Sequence, residues 1–142
     1  MFRSTELRDY MVHHPVCVRP TDSLFEAIHQ ILVHKISGLC VTDDDGSLIG
    51  VLSEIDCLSG ILSSTYNDSG IGLVADVMCT DVMTASPGDD IVDLAADMLS
   101  VNHRRRPVVE NGKLVGQITV RQVLRAVKEF SAPADPREHN GE

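Results

Sequence analysis

The sequence predicts an α+β fold of two tandem repeats, each ordered strand, helix, strand, strand, helix, and packed with pseudo-twofold symmetry. Two internal duplications point there. Pro20-Thr21-Asp22-Ser23-Leu24 recurs as Pro87-Gly88-Asp89-Asp90-Ile91 at an offset of 67, and Gly50-Val51-Leu52-Ser53-Glu54-Ile55-Asp56 recurs as Gly116-Gln117-Ile118-Thr119-Val120-Arg121-Gln122 at an offset of 66. A third observation is that the same apolar periodicities follow these landmarks in both copies. Equivalent loops and helix ends of two like units are brought together by such packing, so the cleft between the repeats is the expected place of function.

Each repeat opens on an extended piece, Pro15 to Arg19 in one copy and Val82 to Ser86 in the other. Ser23, with Glu26 three residues on, then caps a helix whose apolar face is Leu24, Ala27, Ile28, Ile31 and Leu32. Asp90 takes the capping place in the second copy, and Ile91, Leu94, Ala95, Met98 and Leu99 reproduce the five offsets. A hairpin follows each helix: Leu39 to Thr42 with Leu48 to Leu52, and Pro107 to Val109 with Leu114 to Thr119, the latter around Asn111-Gly112. The residue missing from the second copy falls in this turn. A closing helix is expected over Ser53 to about Leu62 and over Thr119 to about Phe130.

These elements set the expected organisation: repeat one over 1–62, a Ser-, Asn-, Asp- and Gly-rich linker over 63–72, repeat two over 73–130, and a disordered tail over 131–142. A repeat of about 55 residues has a marginal core by itself, so the copies are expected to share one hydrophobic interface as a single domain with two lobes.

Composition excludes several functions. A net charge of −9 argues against general polyanion binding, which needs clustered cations that release counterions. Arg3, Glu6, Arg8 and Asp9 have no apolar run behind them, and no stretch approaches the ~18 apolar residues that span a bilayer, so a cytoplasmic protein without membrane or nucleic-acid partner is expected. The four cysteines form no C-x-x-C pair and are expected as buried free thiols. The six histidines make no i, i+4 pair and no mixed cluster with cysteine, which speaks against a metal site. Asp43-Asp44-Asp45-Gly46 reads as a turn, lacking the distal Glu of a calcium loop. A phosphate loop, a nucleophile elbow and a catalytic carboxylate pair are all missing, and no enzyme is expected.

The order of elements, the Asp9-Tyr10-Met11 and Asp76-Val77-Met78 openings, Pro20 and Pro87, Arg106-Pro107-Val108-Val109 and the two Gly-x-x-Ser/Thr junctions together resemble the cystathionine-beta-synthase (CBS) domain pair, the Bateman module, over roughly Leu7 to Phe130. That resemblance implies a stand-alone regulatory module that forms a homodimer and acts on a separate protein. It also implies an adenosine-containing ligand between the repeats: AMP, ADP or ATP first, with S-adenosylmethionine or NAD(H) in the same class, and no required cofactor.

By the same resemblance, Ser53 contacts phosphate and Asp56 accepts from ribose hydroxyls, with Thr119 and Gln122 in the equivalent places of repeat two. Physical chemistry is compatible, because a helix start attracts phosphate and a carboxylate is an acceptor suited to a diol. Helix capping alone explains Ser-x-x-Asp equally well. Gln122 departs from the family pattern, and a neutral amide in place of a carboxylate predicts a site roughly threefold to thirtyfold weaker, so that the Asp56 site fills first.

His103-Arg104-Arg105-Arg106 is a dense cationic cluster in an acidic chain. The resemblance assigns Arg104, Arg105 and Arg121 to phosphates; pairing with Asp89, Asp90 and Asp93 is the plain alternative. Strand alternation would turn Arg104 and Arg106 one way and Arg105 the other. Adenine falls, again by resemblance, to Val16, Cys17 and Val18 and to Val82, Met83 and Thr84, which as apolar strand positions would otherwise be core.

Overall fold

The computed structural model describes residues 4–67 and 70–131. Repeat one contributes β1 (Val12–His13), β2 (Cys17–Val18), α1 (Leu24–His34), β3 (Gly38–Thr42), β4 (Leu48–Ser53) and α2 (Glu54–Asn67). Repeat two contributes α3 (Val74–Val77), α4 (Ile91–Ser100), β5 (Arg105–Glu110), β6 (Lys113–Thr119) and α5 (Val120–Ser131). Two three-stranded sheets result, ordered β2-β3-β4 and β1-β6-β5.

The long helices start where expected. Ser23 Oγ accepts the Glu26 N–H at 3.1 Å and Asp90 Oδ2 accepts the Asp93 N–H at 3.0 Å, each satisfying a backbone donor that the first helical turn leaves free. Leu24, Ala27 and Ile31 are buried, as are Ile91, Leu94 and Met98, but the fifth position of each face, Leu32 and Leu99, is exposed. The hairpins form in the expected order, with Gly38 opposite Ser53 and Arg105 opposite Thr119. Asn111 and Gly112 both have positive φ, at 53° and 79°, as a tight hairpin turn with the sheet's own twist requires.

Two expectations change. α2 runs to Asn67 instead of Leu62, because Ser63 to Asn67 contain no Gly or Pro to end it; within this stretch the Ser64 hydroxyl donates to the Ile61 carbonyl at 2.9 Å. Of the expected linker, 68–69 lie outside the described residues, as does the expected tail beyond Ser131. The extended piece before α4 shrinks to a single bridge, Ala85 to Val108. Its counterpart pairs Cys17 with Cys40 and Val18 with Val41, and Pro107 stands where Cys40 does, without the N–H that the ladder needs.

The largest departure concerns the core. Among the described residues there are two clusters, one per lobe, and each is completed by the lead segment of the other repeat. Leu7 and Met11 are buried with Ala85, Ile91, Val108 and Ile118 of repeat two, whereas Val74 is buried with Leu24, Leu39 and Leu52 of repeat one. Backbone bonds reproduce the exchange on both sides: Leu7 N to Asp89 O and Ile91 N to Thr5 O, against Val74 N to Asp22 O and Leu24 N to Gly72 O. β1 pairs with β6, with Val12 opposite Gln117, and Cys79 exchanges two bonds with Val51 in the equivalent place.

This exchange explains the junction glycines. A Cβ at Gly50 would lie 2.9 Å from the Cys79 carbonyl oxygen, and one at Gly116 would lie 2.9 Å from that of Val12. Only a residue without a side chain lets the exchanged segment pass there.

The cysteines are free, but they are not all buried: Cys40 and Cys57 are, and Cys17 and Cys79 are exposed. Burial, reinforced by the neighbouring Cys17 thiol, pushes Cys40 up to about 12, and burial also raises Cys57 and Cys17. A raised thiol stays protonated and unreactive at neutral pH. Iodoacetamide at pH 8 is therefore expected to label Cys79 well before Cys40 or Cys57, as peptide mass analysis of a time course would read.

Leu7 has no exposed surface, while Leu99 is 83% exposed. Leu7→Ala should cost about 2–5 kcal/mol in urea unfolding although it lies near the chain start, and Leu99→Ala about 0.5 kcal/mol or less. Equal costs would contradict the exchanged core.

Candidate functional site

Among the described residues, two of the cavities between the repeats open beside the β4–α2 and β6–α5 junctions. A wide cleft of about 670 Å³ is lined by Lys35, Ser37 and Gly38 at the end of α1, by Glu54, and by Thr119 and Arg121 at the β6–α5 junction. A narrow cleft of about 330 Å³ is lined by Ser53 at the β4–α2 junction, by Val82 and Met83, and by Asn102 and His103 after α4. Arg104 and Arg105 line both. The clefts are related by the repeat: Ser53 answers to Thr119, and Lys35 to Asn102, both of the latter pair with a left-handed backbone at the end of a helix.

The β4–α2 junction is a closed capping box, whereas the β6–α5 junction is capped from the Gln122 side alone. The Ser53 N–H donates to Asp56 Oδ2 and the Asp56 N–H to Ser53 Oγ, both at 3.0 Å. In repeat two the Thr119 N–H donates to Gln122 Oε1 at 2.8 Å, and the Thr119 hydroxyl donates to the same oxygen. The Ser53 hydroxyl thus spends a lone pair on the cap and keeps its proton for an anion, whereas the Thr119 hydroxyl proton is already used. Asp56 Oδ1 accepts no bond from the described residues, which leaves one carboxylate oxygen for a ligand hydroxyl.

The arginines are arranged otherwise than strand alternation predicts. β5 begins at Arg105, so Arg104 precedes the strand and turns with Arg105 into the clefts. Arg106 is only 3% exposed and pairs with Asp97, not with Asp89, Asp90 or Asp93. Its Nη2 lies 3.2 Å from His103 Nδ1, and Nε is buried without a partner. Arg105 crosses to repeat one and donates to the Ser37 hydroxyl. Its guanidinium fills the space that a side chain at Gly38 would take, with Cζ 2.8 Å from a Cβ built there. Burial lowers the pKa of Arg105, and the nearby Cys40 and Glu54 partly oppose this; the group remains a cation.

Ser53, Thr119, Arg104, Arg105 and Arg121 are thus brought together around the clefts, while Asp56, Gln122, Val16, Cys17 and Val18 line neither. Val18 is buried in the core of lobe one. Thr84 faces a third cavity of about 300 Å³ with Asp89, Asp90, Asp93 and Asp97, a setting hostile to phosphate. Sequence reasoning missed Lys35, Glu54, Gln117 and Asn102 as cleft residues. The signal for Lys35 and Asn102 was their shared place just after an amphipathic helix, where a left-handed residue turns the chain. Gln117 gave none: it reaches the buried Cys40 thiol of the other repeat, a donor 3.6 Å away, only through the tertiary fold.

No group of three or more His, Cys, Asp or Glu among the described residues could hold a metal ion, and no described helix is long and apolar enough to cross a membrane.

Comparison with known proteins agrees with this architecture. CBSX2 of the Arabidopsis thaliana chloroplast is 31% identical over 135 residues, covering 77% of this chain and 57% of that protein. An uncharacterised protein of Methanocaldococcus jannaschii is 29% identical over 113 residues, covering 80% of this chain and 39% of its own length. The chain therefore spans only part of the curated relatives it matches. The crystal structure of CBSX2 in complex with AMP has a TM-score of 0.80 at 28% identity, covering 89% of this chain and 98% of that one. AcuB of Vibrio cholerae follows with 0.78 at 28% identity, covering 90% and 98%. The CBS domain profile matches twice, over residues 7–63 and 74–129, and with both repeats accounted for the chain belongs to the CBS domain family.

Proposed function

We propose that this chain is a regulatory module that binds an adenine nucleotide between its repeats and signals to a separate partner protein. The observation that carries this reading is the convergence of Lys35, Arg104, Arg105 and Arg121 on one cleft in a chain of net charge −9. Random solvated cations would not gather at a junction between duplicated halves, whereas a phosphate-bearing ligand rewards it. The complex of the related CBSX2 with AMP supports the adenosine class. AMP, ADP and ATP lead, with S-adenosylmethionine and NAD(H) in the same class.

Within this reading Ser53 and Thr119 donate to or border phosphate, Arg104, Arg105 and Arg121 neutralise it, and Asp56 and Gln122 serve the ribose hydroxyls. Val16, Cys17, Val18 and Thr84 keep the adenine role only if ligand entry rearranges their segments, while Val82 and Met83 already border the narrow cleft. No catalytic step is assigned. A cytoplasmic location and a homodimer complete the proposal, the latter supported by the exposed Ile55, Leu58 and Leu62 along one side of α2.

A second reading, ligand-free dimerisation or scaffolding, is favoured by the side-chain caps at the two junctions, which explain Ser53, Asp56, Thr119 and Gln122 without any ligand. A thermal-shift series with AMP, ADP, ATP, S-adenosylmethionine and NAD(H) separates the two. A true ligand at about 100 times its Kd adds ~2.7 kcal/mol, several degrees for a chain of this size. An unmoved transition with every compound favours the scaffold.

For AMP, Asp56→Ala should weaken binding roughly threefold to thirtyfold more than Gln122→Ala in calorimetric titration. Equal losses would remove the distinction between the sites. Light scattering of the purified chain should give twice 15.5 kDa, with Leu58→Glu returning it to one.

A further inference from the structure

A duplicated fold should supply each cleft with its own set of side chains, and this one does so at Ser53 and Thr119 but not at Arg105. The position equivalent to Arg105 is Gly38, and the two face one another across the repeat boundary. Arg105 extends over Gly38, holds the Ser37 hydroxyl on the wide-cleft side, and lines the narrow cleft as well. There is room for one long side chain at this crossing. A Cβ on Gly38 would already meet the guanidinium, besides lying 2.9 Å from the Leu52 carbonyl oxygen.

We propose that Arg105 is a single anion clamp shared by the two clefts, so that binding of one phosphate-bearing ligand weakens binding of the second. The inference rests on the adenosine reading above and adds to it the sign of the coupling. A guanidinium presents a planar fork that one phosphate can saturate. The first ligand to arrive draws the fork toward its own cleft, and the second then meets a cleft without that cation. Arg104 is exposed and bonds no group across the boundary among the described residues, so it can follow either ligand without releasing a partner. Ser37 is what Arg105 must release to turn toward the narrow cleft, which ties the occupancy of one cleft to the shape of the other. Coupling of this kind is reciprocal, so the order of filling does not change its size.

Isothermal titration of the full chain with AMP as the probe tests the proposal. Two AMP steps per chain are expected, the second at least about tenfold weaker, which is what loss of one charge-assisted contact produces. Arg105→Gln should weaken the first step about tenfold or more and leave the second within about twofold. Adenosine, which lacks the phosphate, should bind wild type and Arg105→Gln alike; a merely structural role for Arg105 would lower both.

Blocking variants separate sharing from service to one cleft. Gln117→Trp fills the wide cleft and Met83→Trp the narrow one, each leaving one AMP per chain. Adding Arg105→Gln should weaken both blocked variants about tenfold or more. A loss confined to one of them overturns the proposal, as does a ratio of steps that Arg105→Gln leaves unchanged, or one AMP per chain in wild type and Arg105→Gln alike. If a tryptophan variant does not fold, the unblocked titration decides. Absence of AMP binding to wild type overturns the adenosine reading itself, and the shared clamp falls with it.

Discussion

The reciprocal exchange of lead segments is the constraint from which the rest of this structure follows. Each lobe lacks one piece of its own core, and the other repeat provides it: Leu7 and Met11 close lobe two, and Val74 closes lobe one. A repeat of this size has a marginal core alone, so the missing piece makes the lobes interdependent. The backbone bonds from Leu7 to Asp89 and from Val74 to Asp22 hold the two halves in register about the pseudo-twofold axis. That register places the β4–α2 and β6–α5 junctions around a common boundary, where the clefts form. The clefts at the boundary are thus a consequence of how the cores are completed.

Duplication makes the clefts alike in outline, and a few substitutions make them unlike in chemistry. Ser53 and Thr119 preserve the hydroxyl, and their caps preserve the helix starts. Lys35 against Asn102, and Arg121 against Ile55, turn the wide cleft cationic, while Val82 and Met83 keep the narrow one more apolar. Near the axis itself, equivalent positions compete for one volume, and the outcome is Arg105 over Gly38. Away from the axis each copy can carry a long side chain, as the buried Arg106 shows by extending to Asp97 within its own repeat.

How much could be read in advance depended on the range of the interaction responsible. Helix starts at Ser23 and Asp90 were legible because the donor and acceptor lie three residues apart. The Asn111-Gly112 hairpin was legible for the same reason. The end of α2 was misplaced, since Ser63 to Asn67 are weak helix formers that composition reads as a linker, yet no Gly or Pro among them ends the helix. The strand before α4 was overextended because Pro107, whose missing N–H shortens the ladder, lies more than twenty residues downstream of Ala85. Among residues that line the clefts, Ser53, Thr119, Arg104, Arg105 and Arg121 were singled out by the family resemblance, whereas Gln117 and Glu54 required knowing which surfaces meet.

By itself the sequence determined the repeat, read from segments that recur at offsets of 66 and 67, and the capped helices, the hairpins and the family's junction motifs, which are local and written in short spacings. Tertiary structure decided that the cores exchange their lead segments, that the glycines at 50 and 116 exist to let those segments pass, that Arg106 is buried while Arg104 and Arg105 face the clefts, and that the Arg105 guanidinium occupies the space beside Gly38. Each of these depends on two residues competing for, or completing, the same volume from distant points in the chain, and periodicity carries no record of such a meeting.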